Sequence, residues 1–155
     1  MAVEERLKTL GLALPPPHAF PNPNRIGCVR TGDLVFVSGH PPAALAGVKV
    51  DGKVTGDLSL EEAQITARAC ALNMLASIKA ALGSLDKVAR VVKINGMVNS
   101  SPGFIHQYAV IDGASDLFVH LFGPVNGPHA RSAVGMFELP RNIAVEVEGV
   151  FEVAG

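Results

Sequence analysis

The strongest constraint in this sequence is a long helix whose two ends both carry capping residues. Ser59-Leu-Glu-Glu62 has the form of a capping box, in which the serine and the glutamate satisfy free backbone amides at a helix N-terminus. Residues 63–82 contain neither Gly nor Pro, and Gly83 follows where helices commonly end in a left-handed residue. Apolar residues from Ile65 to Leu82 recur on one side of this segment. We therefore predict a helix of about six turns that must be buried against other elements.

The segments around this helix have the composition of strands. The runs on either side of Thr31-Gly-Asp33 predict a β-hairpin, with a weaker strand candidate at Val48–Val50. Strands are predicted at 88–98, 131–138 and 143–152, and a second helix at 104–122, ended by Gly123-Pro124. This order predicts an α+β fold in which two long helices pack on one face of a mixed sheet.

The chain is expected to form a single domain over residues 1–155, in which residues 1–24 are a short helix followed by a proline-rich extended arm. A chain of this length has no third layer for the other face of the sheet, so another subunit is the expected cover. The composition fits either that oligomer or a high content of Ala and Gly, since 48% of the residues are hydrophobic and only 17% are charged.

Charge and composition exclude several classes of function. The formal net charge is −1, with 13 basic and 14 acidic residues and no basic run, so the footprint of a nucleic-acid-binding protein is missing. The sequence lacks both a long apolar run and a signal-peptide layout, so we expect a cytoplasmic protein without a membrane partner. Cys28 and Cys70 lack metal-ligand spacing and are expected to be free thiols.

Two charged residues near the C-terminus are candidates for a site. Strand alternation places Arg131 on the same face as the small residues Ala133 and Gly135, which leaves room for a ligand beside the guanidinium. Glu146 lies in the middle of the last strand between two valines, where a half-buried carboxyl could carry a proton or orient a water. Spacing alone favours the alternative, a structural ion pair between Arg131 and Glu146 at a subunit contact.

Three segments carry a resemblance to a known family. The run Ala130-Arg-Ser-Ala-Val-Gly135 with Leu139-Pro140 and Val145-Glu-Val-Glu148, the hairpin Gly32-Asp-Leu-Val-Phe-Val-Ser-Gly39, and the helix entrance Leu58-Ser-Leu-Glu-Glu-Ala-Gln64 are similar to the signature of the Rid (YjgF-like) family. The resemblance covers residues 25–152. It implies a chorismate-mutase-like fold, a homotrimer with a central barrel, and ligand clefts between subunits.

The resemblance also implies an activity and a set of site residues. Similar proteins hydrolyse reactive 2-imino and enamino acids to 2-oxo acids and ammonia, without a metal or an organic cofactor. Carried onto this sequence, the pattern assigns Arg131, with Ser132 and Ala133 beside it and Asp112 from the second helix, to binding of a small-molecule carboxylate. It assigns Glu146 to handling the attacking water.

This chain departs from the family pattern at three places. Ala133 stands where active deaminases often have Cys, Arg25-Ile-Gly-Cys28 stands where they have a Tyr, and Asp112 stands where they have an Asn. The sequence therefore favours a deaminase with a modified pocket. The alternatives are a trimeric metabolite-binding protein without turnover and, as the least favoured, a ribonuclease, since only 5% of the residues are aromatic.

Overall fold

The computed structural model describes all residues, Met1–Gly155. The helices are α1 (Val3–Thr9), α2 (Leu60–Leu82) and α3 (Gln107–Asn126). The strands are β1 (Cys28–Thr31), β2 (Leu34–His40), β3 (Val88–Asn99), β4 (Ala130–Met136) and β5 (Val145–Val153). They form one sheet in the order β1-β2-β5-β3-β4, in which only β3 and β4 are parallel. The sheet is therefore mixed, and β1 and β4 are its edges.

Helix α2 has both of the predicted caps. The Glu62 amide donates to Ser59 Oγ at 3.1 Å, and the Ser59 amide donates to Glu62 Oε1 at 3.0 Å. Gly83 closes the helix with φ 85°, a left-handed conformation that glycine adopts without a Cβ clash. One expectation was wrong: Ile65 is 49% exposed, because the buried face of the first half of the helix is formed by Ala63, Thr66, Ala67 and Cys70 instead.

Helix α3 differs from its prediction at both ends. It begins at Gln107 rather than at residue 104, and a final turn reaches Asn126 beyond a kink at Gly123 (φ 84°, ψ 175°). Gly113 lies inside the helix, where a Cβ would collide with the Gln64 carbonyl of α2, so that only glycine fits at this position. The two long helices can therefore pack closely at that point.

The Val48–Val50 segment is not a strand, which corrects that prediction. Its backbone carbonyls are taken by single contacts: Thr66 Oγ1 donates to the Lys49 carbonyl at 2.6 Å, and the Ala144 amide donates to the Val50 carbonyl at 2.9 Å. These hydrogen bonds hold the segment beside the start of β5, but they do not form the regular pairing of a β-strand.

Both long helices lie on one face of the sheet, as predicted. Helix α2 contacts β2 and β5, and α3 contacts β3 and β4. The core between the layers includes Val35, Met74, Ile78, Val91, Ile94, Ile111, Phe118, Val147 and Phe151. Helix α2 is long and apolar enough to match a membrane span, but 72% of its most apolar window is buried, as in a core helix.

The opposite face of the sheet, which we call the open face, has no layer of this chain over it. Val29, Phe36 and Val134 project from it, and Phe36 is 47% exposed. The proline-rich arm runs along one end of the sheet without regular structure, as the sequence predicted.

Candidate functional site

The strand register places Arg131 and Glu146 on opposite faces of the sheet. Arg131 lies opposite Ile94 of β3, which is fully buried under the helices. Glu146 lies opposite Met97, three residues further along β3, so its side chain points to the open face. Within one chain the two residues therefore form neither an ion pair nor a shared pocket.

Arg131 is held by contacts from helix α3. Its Nη1 donates to Asp112 Oδ1 at 2.7 Å and to Ser115 Oγ at 3.2 Å, and its Nη2 donates to the Tyr108 carbonyl at 3.3 Å. The guanidinium side chain is 23% exposed and that of Asp112 is 47% exposed. The arginine is thus fixed in orientation while part of it still faces solvent.

The hydrogen bonds of Arg131 leave room for one more acceptor pair. A guanidinium has five N–H donors, and the contacts from Asp112, Ser115 and Tyr108 use three of them. The Nε–H group and one N–H of Nη2 have no hydrogen-bond partner in the protein. These two donors can form a forked contact to a carboxylate.

The other residues expected beside Arg131 divide between the two faces. Ala133 follows the same alternation and packs partly against the core. Ser132 projects to the open face, where it lines a hollow of about 660 Å³ together with Phe36 and Glu148. Asp112 lies with Arg131, as expected, but it occupies the guanidinium directly. A ligand carboxylate must therefore bind beside a carboxylate of the protein.

Glu146 lines a cavity of about 1160 Å³ between the open face and the proline-rich arm. Residues 15–21 of the arm form one wall, and Ser38 and Gly39 of β2 lie beside the carboxyl. Gly39 is required for this approach, since a Cβ there would collide with Glu146 Oε2 and lie 3.0 Å from its Cδ. Partial burial raises the pKa of Glu146, and the nearby charge of Glu148 raises it further. A carboxylate of raised pKa accepts a proton more readily than an ordinary glutamate.

Three further residues of this cavity were not predicted from the sequence to belong to a site: His18, Arg25 and Arg141. The departure from a Tyr at Arg25 was a signal in the sequence, and the Leu-Pro-Arg-Asn turn that contains Arg141 was another. Neither signal indicates a site without the tertiary structure, which brings the arm and this turn to the same cavity.

Two other histidines have structural hydrogen bonds. His40 is fully buried, with Nε2 2.7 Å from Ser77 Oγ and Nδ1 2.6 Å from the Ser38 carbonyl, and its burial lowers the pKa. His129 contacts Ser115 Oγ at 3.0 Å and thereby supports the hydroxyl that Arg131 also contacts. Both rings position neighbouring groups of the two sites. Cys28 and Cys70 are free thiols, and no group of three potential ligand side chains has the geometry of a metal site.

Comparison with known proteins identifies the relatives of this chain. Residues 4–149 match the family described as "YjgF/chorismate mutase-like, putative endoribonuclease". Protein TCP17 of Trypanosoma cruzi is 44% identical over 151 residues, covering 97% of this chain and 94% of that protein.

Two solved structures are similar over nearly the whole chain. Atu1372 of Agrobacterium tumefaciens, described as of unknown function, is 42% identical with a TM-score of 0.88, covering 99% of this chain and 94% of that one. A "putative endoribonuclease" of Shewanella oneidensis MR-1 is 27% identical with a TM-score of 0.92, covering 99% of this chain and 100% of that one. The chain therefore belongs to the YjgF/chorismate mutase-like family and has the α+β fold of that family.

Proposed function

We propose that this protein hydrolyses 2-imino or enamino acids to 2-oxo acids and ammonia, at clefts between the subunits of a homotrimer. The observation that carries the proposal is the pair of site residues on opposite faces of one sheet. Arg131 has two free donors on the helix side, and Glu146 has a raised pKa on the open side. A cleft that contains both groups needs two copies of the chain.

The surfaces of the chain support such an assembly. The open face carries exposed apolar side chains, including Phe36 and Val134, and β4 is an edge strand with one unpaired side. A second copy that covers the open face would bury these groups and bring the β4 edge of one subunit to the Glu146 cavity of the next.

In the proposed reaction, Arg131 binds the substrate carboxylate and holds the imine carbon in the cleft. Glu146 takes a proton from water as the water oxygen bonds to C2 of the protonated imine, which gives a neutral carbinolamine. The same carboxyl then gives that proton to the nitrogen, and as the C–N bond breaks it accepts the proton of the carbinolamine hydroxyl, which forms the C2 carbonyl and releases ammonia. The sum is protonated imine plus water to 2-oxo acid plus ammonium, so no oxidant or cofactor is needed.

The assay measures ammonia and 2-oxo acid from imines that an amino-acid oxidase generates in situ. We expect Glu146→Gln to lower turnover by about 10²-fold or more, the usual loss when a general base is removed. Glu148→Gln on the same strand and face is the matched control and should retain most of the activity. Arg131→Lys should raise KM, because an ammonium cannot reproduce the fork.

Two outcomes of this assay would change the proposal. If no imine is turned over and Glu146→Gln alters only ligand binding, the protein is a metabolite-binding member of the family. If Glu148→Gln is as damaging as Glu146→Gln, the loss reflects the charge of the open face and not a catalytic proton. Cleavage of RNA is the third activity to assay, since the family description names an endoribonuclease. The near-neutral charge of the chain argues against it.

The trimer has its own test. Light scattering should give about three times the chain mass of 16.1 kDa. Phe36→Glu on the open face should dissociate the assembly, because it places a charge in the buried contact. Val125→Glu, at a 77% exposed position at the end of α3, is the matched control and should not dissociate it. A monomeric wild-type protein would remove the proposed clefts.

A further inference from the structure

The Glu146 cavity contains two arginines that have no acidic partner. Arg25 and Arg141 both line it, whereas the ion pairs of this chain are Lys49–Glu62, Lys79–Glu4 and Arg131–Asp112. Arg25 makes one side-chain hydrogen bond, to Asn24 Oδ1 at 3.2 Å, and the Arg141 side chain makes none. The cavity therefore contains two cations that form no ion pair within the chain.

The Arg25 guanidinium lies beside two rings of the proline-rich arm that also line the cavity. The Arg25 guanidinium lies 5.8 Å from the centre of the Phe20 ring, and the rings of Phe20 and His18 are 4.8 Å apart. Burial lowers the pKa of His18, and the positive charge of Arg141 lowers it further. A largely neutral His18 adds a hydrogen-bonding group to this wall of the cavity.

The backbone beneath Arg141 has an unusual conformation that its neighbours fix. Arg141 and Asn142 have φ values of 56° and 59°, which side chains rarely adopt. Asn99 Nδ2 donates to Asn142 Oδ1 at 3.0 Å, and the Gly52 amide donates to the Asn142 carbonyl at 2.8 Å. Such conformations persist where contacts hold them, and they concentrate at ligand sites. The turn presents Arg141 at a defined position on the cavity.

The cavity also contains carboxylates, which define where an anion could bind. Asp51, Glu146 and Glu148 line it, and none is within ion-pair distance of either arginine. An anion between the arginines would replace the missing partner of each, whereas an anion beside the carboxylates would be repelled.

We propose that Arg25 and Arg141 bind a second acidic group of the ligand, so that the preferred ligands are dicarboxylic acids whose side chain ends in a carboxylate. The imine chemistry of these ligands rests on the proposed function, but the anion site depends only on residues of this cavity. Because Arg131 of the same chain lies on the other face of the sheet, Arg131 of the neighbouring subunit would hold the carboxylate next to the imine carbon. The two acidic groups would then lie at opposite ends of one extended molecule.

The test compares binding of two stable 2-oxo acids of equal length, 2-oxoglutarate and 2-oxopentanoate, by titration calorimetry. We expect the wild-type protein to bind 2-oxoglutarate at least about tenfold more tightly, the gain typical of one charge-assisted contact. Arg141→Gln and Arg25→Gln should each reduce that ratio severalfold while 2-oxopentanoate affinity stays the same. Arg30→Gln, whose side chain binds the Gly32 carbonyl outside the cavity, is the matched control and should change neither.

The outcomes separate this inference from the proposed function. Equal affinity of the wild-type protein for both acids overturns the second site, and so does an Arg141→Gln variant that loses affinity for both acids equally. Turnover is measured separately with the imines of glutamate and norvaline, generated in situ. If neither imine is hydrolysed but the dicarboxylate preference persists and depends on Arg141, the deaminase reaction is wrong and the anion site stands.

Discussion

Asp112→Asn should strengthen the binding of a carboxylate ligand at Arg131. Asp112 Oδ1 accepts a hydrogen bond from Arg131 Nη1 at 2.7 Å, so its negative charge lies beside the place where the ligand carboxylate would bind. Asparagine has nearly the same shape as aspartate, and its side-chain oxygen can still accept a hydrogen bond from Nη1. The substitution therefore removes a repulsion and leaves the guanidinium oriented.

The size of the effect follows from the distance between the two anions. Carboxylates bound to neighbouring nitrogens of one guanidinium are about 5–6 Å apart. Coulomb's law then gives about 0.8 kcal/mol at the dielectric of water and about 3 kcal/mol at an effective dielectric of about 20. Asp112 is 47% exposed, so screening favours the lower figure. A gain of about 1 kcal/mol corresponds to about fivefold tighter binding.

The assay is calorimetric titration with 2-oxobutanoate at low and at high salt. Asp116→Asn is the matched control: it lies one turn further along α3, is exposed, and changes the net charge equally. We expect the gain with Asp112→Asn alone, and a smaller gain at high salt. Unchanged or weaker binding by Asp112→Asn, or an equal gain with Asp116→Asn, would refute the reasoning.

Three further predictions follow from local contacts. Gly39→Ala should displace the Glu146 carboxyl and lower turnover by on the order of 10²-fold. The free energy of unfolding should change by no more than about 1 kcal/mol, because the displaced side chain is flexible. In a double variant with Glu146→Gln, the added Gly39→Ala substitution should not lower turnover further. The raised pKa of Glu146 means that the folded state binds its proton more tightly, so the stability it contributes is present below its usual pKa near 4.5 and is lost as pH rises through the folded pKa. Urea unfolding from pH 4 to 8 should therefore show a smaller loss of stability with rising pH for Glu146→Gln than for the wild type. Burial raises the pKa of the Cys28 thiol to about 11, so a disulfide reagent at pH 8 should label native Cys28 on the order of 10²-fold more slowly than free cysteine, while the unfolded chain should show both thiols.

The sequence was sufficient for the elements whose signals are local. The capping box at Ser59 and Gly83 depends on residues close together in the chain, so the bounds of α2 could be predicted to within about a turn. The hairpin around Gly32 has the same local origin. The Val48–Val50 segment has strand composition but is not a strand, because its carbonyls bond to Thr66 and Ala144, which are distant in sequence.

Alternation along β4 and β5 predicted which residues share a face within each strand, but not which faces of the two strands coincide. Register determines that relation, and register depends on pairing with β3, which lies between them in the sheet and far away in the sequence. Residue type and motif therefore selected Arg131 and Glu146 as candidates, while their separation on opposite faces was not predicted. The pairing of Arg131 with Asp112 and the position of Arg25 and Arg141 on one cavity were likewise decided by the tertiary structure, since each brings together residues from different parts of the chain. Local sequence specifies how a backbone segment folds, whereas the packing of the whole chain decides which charges become neighbours.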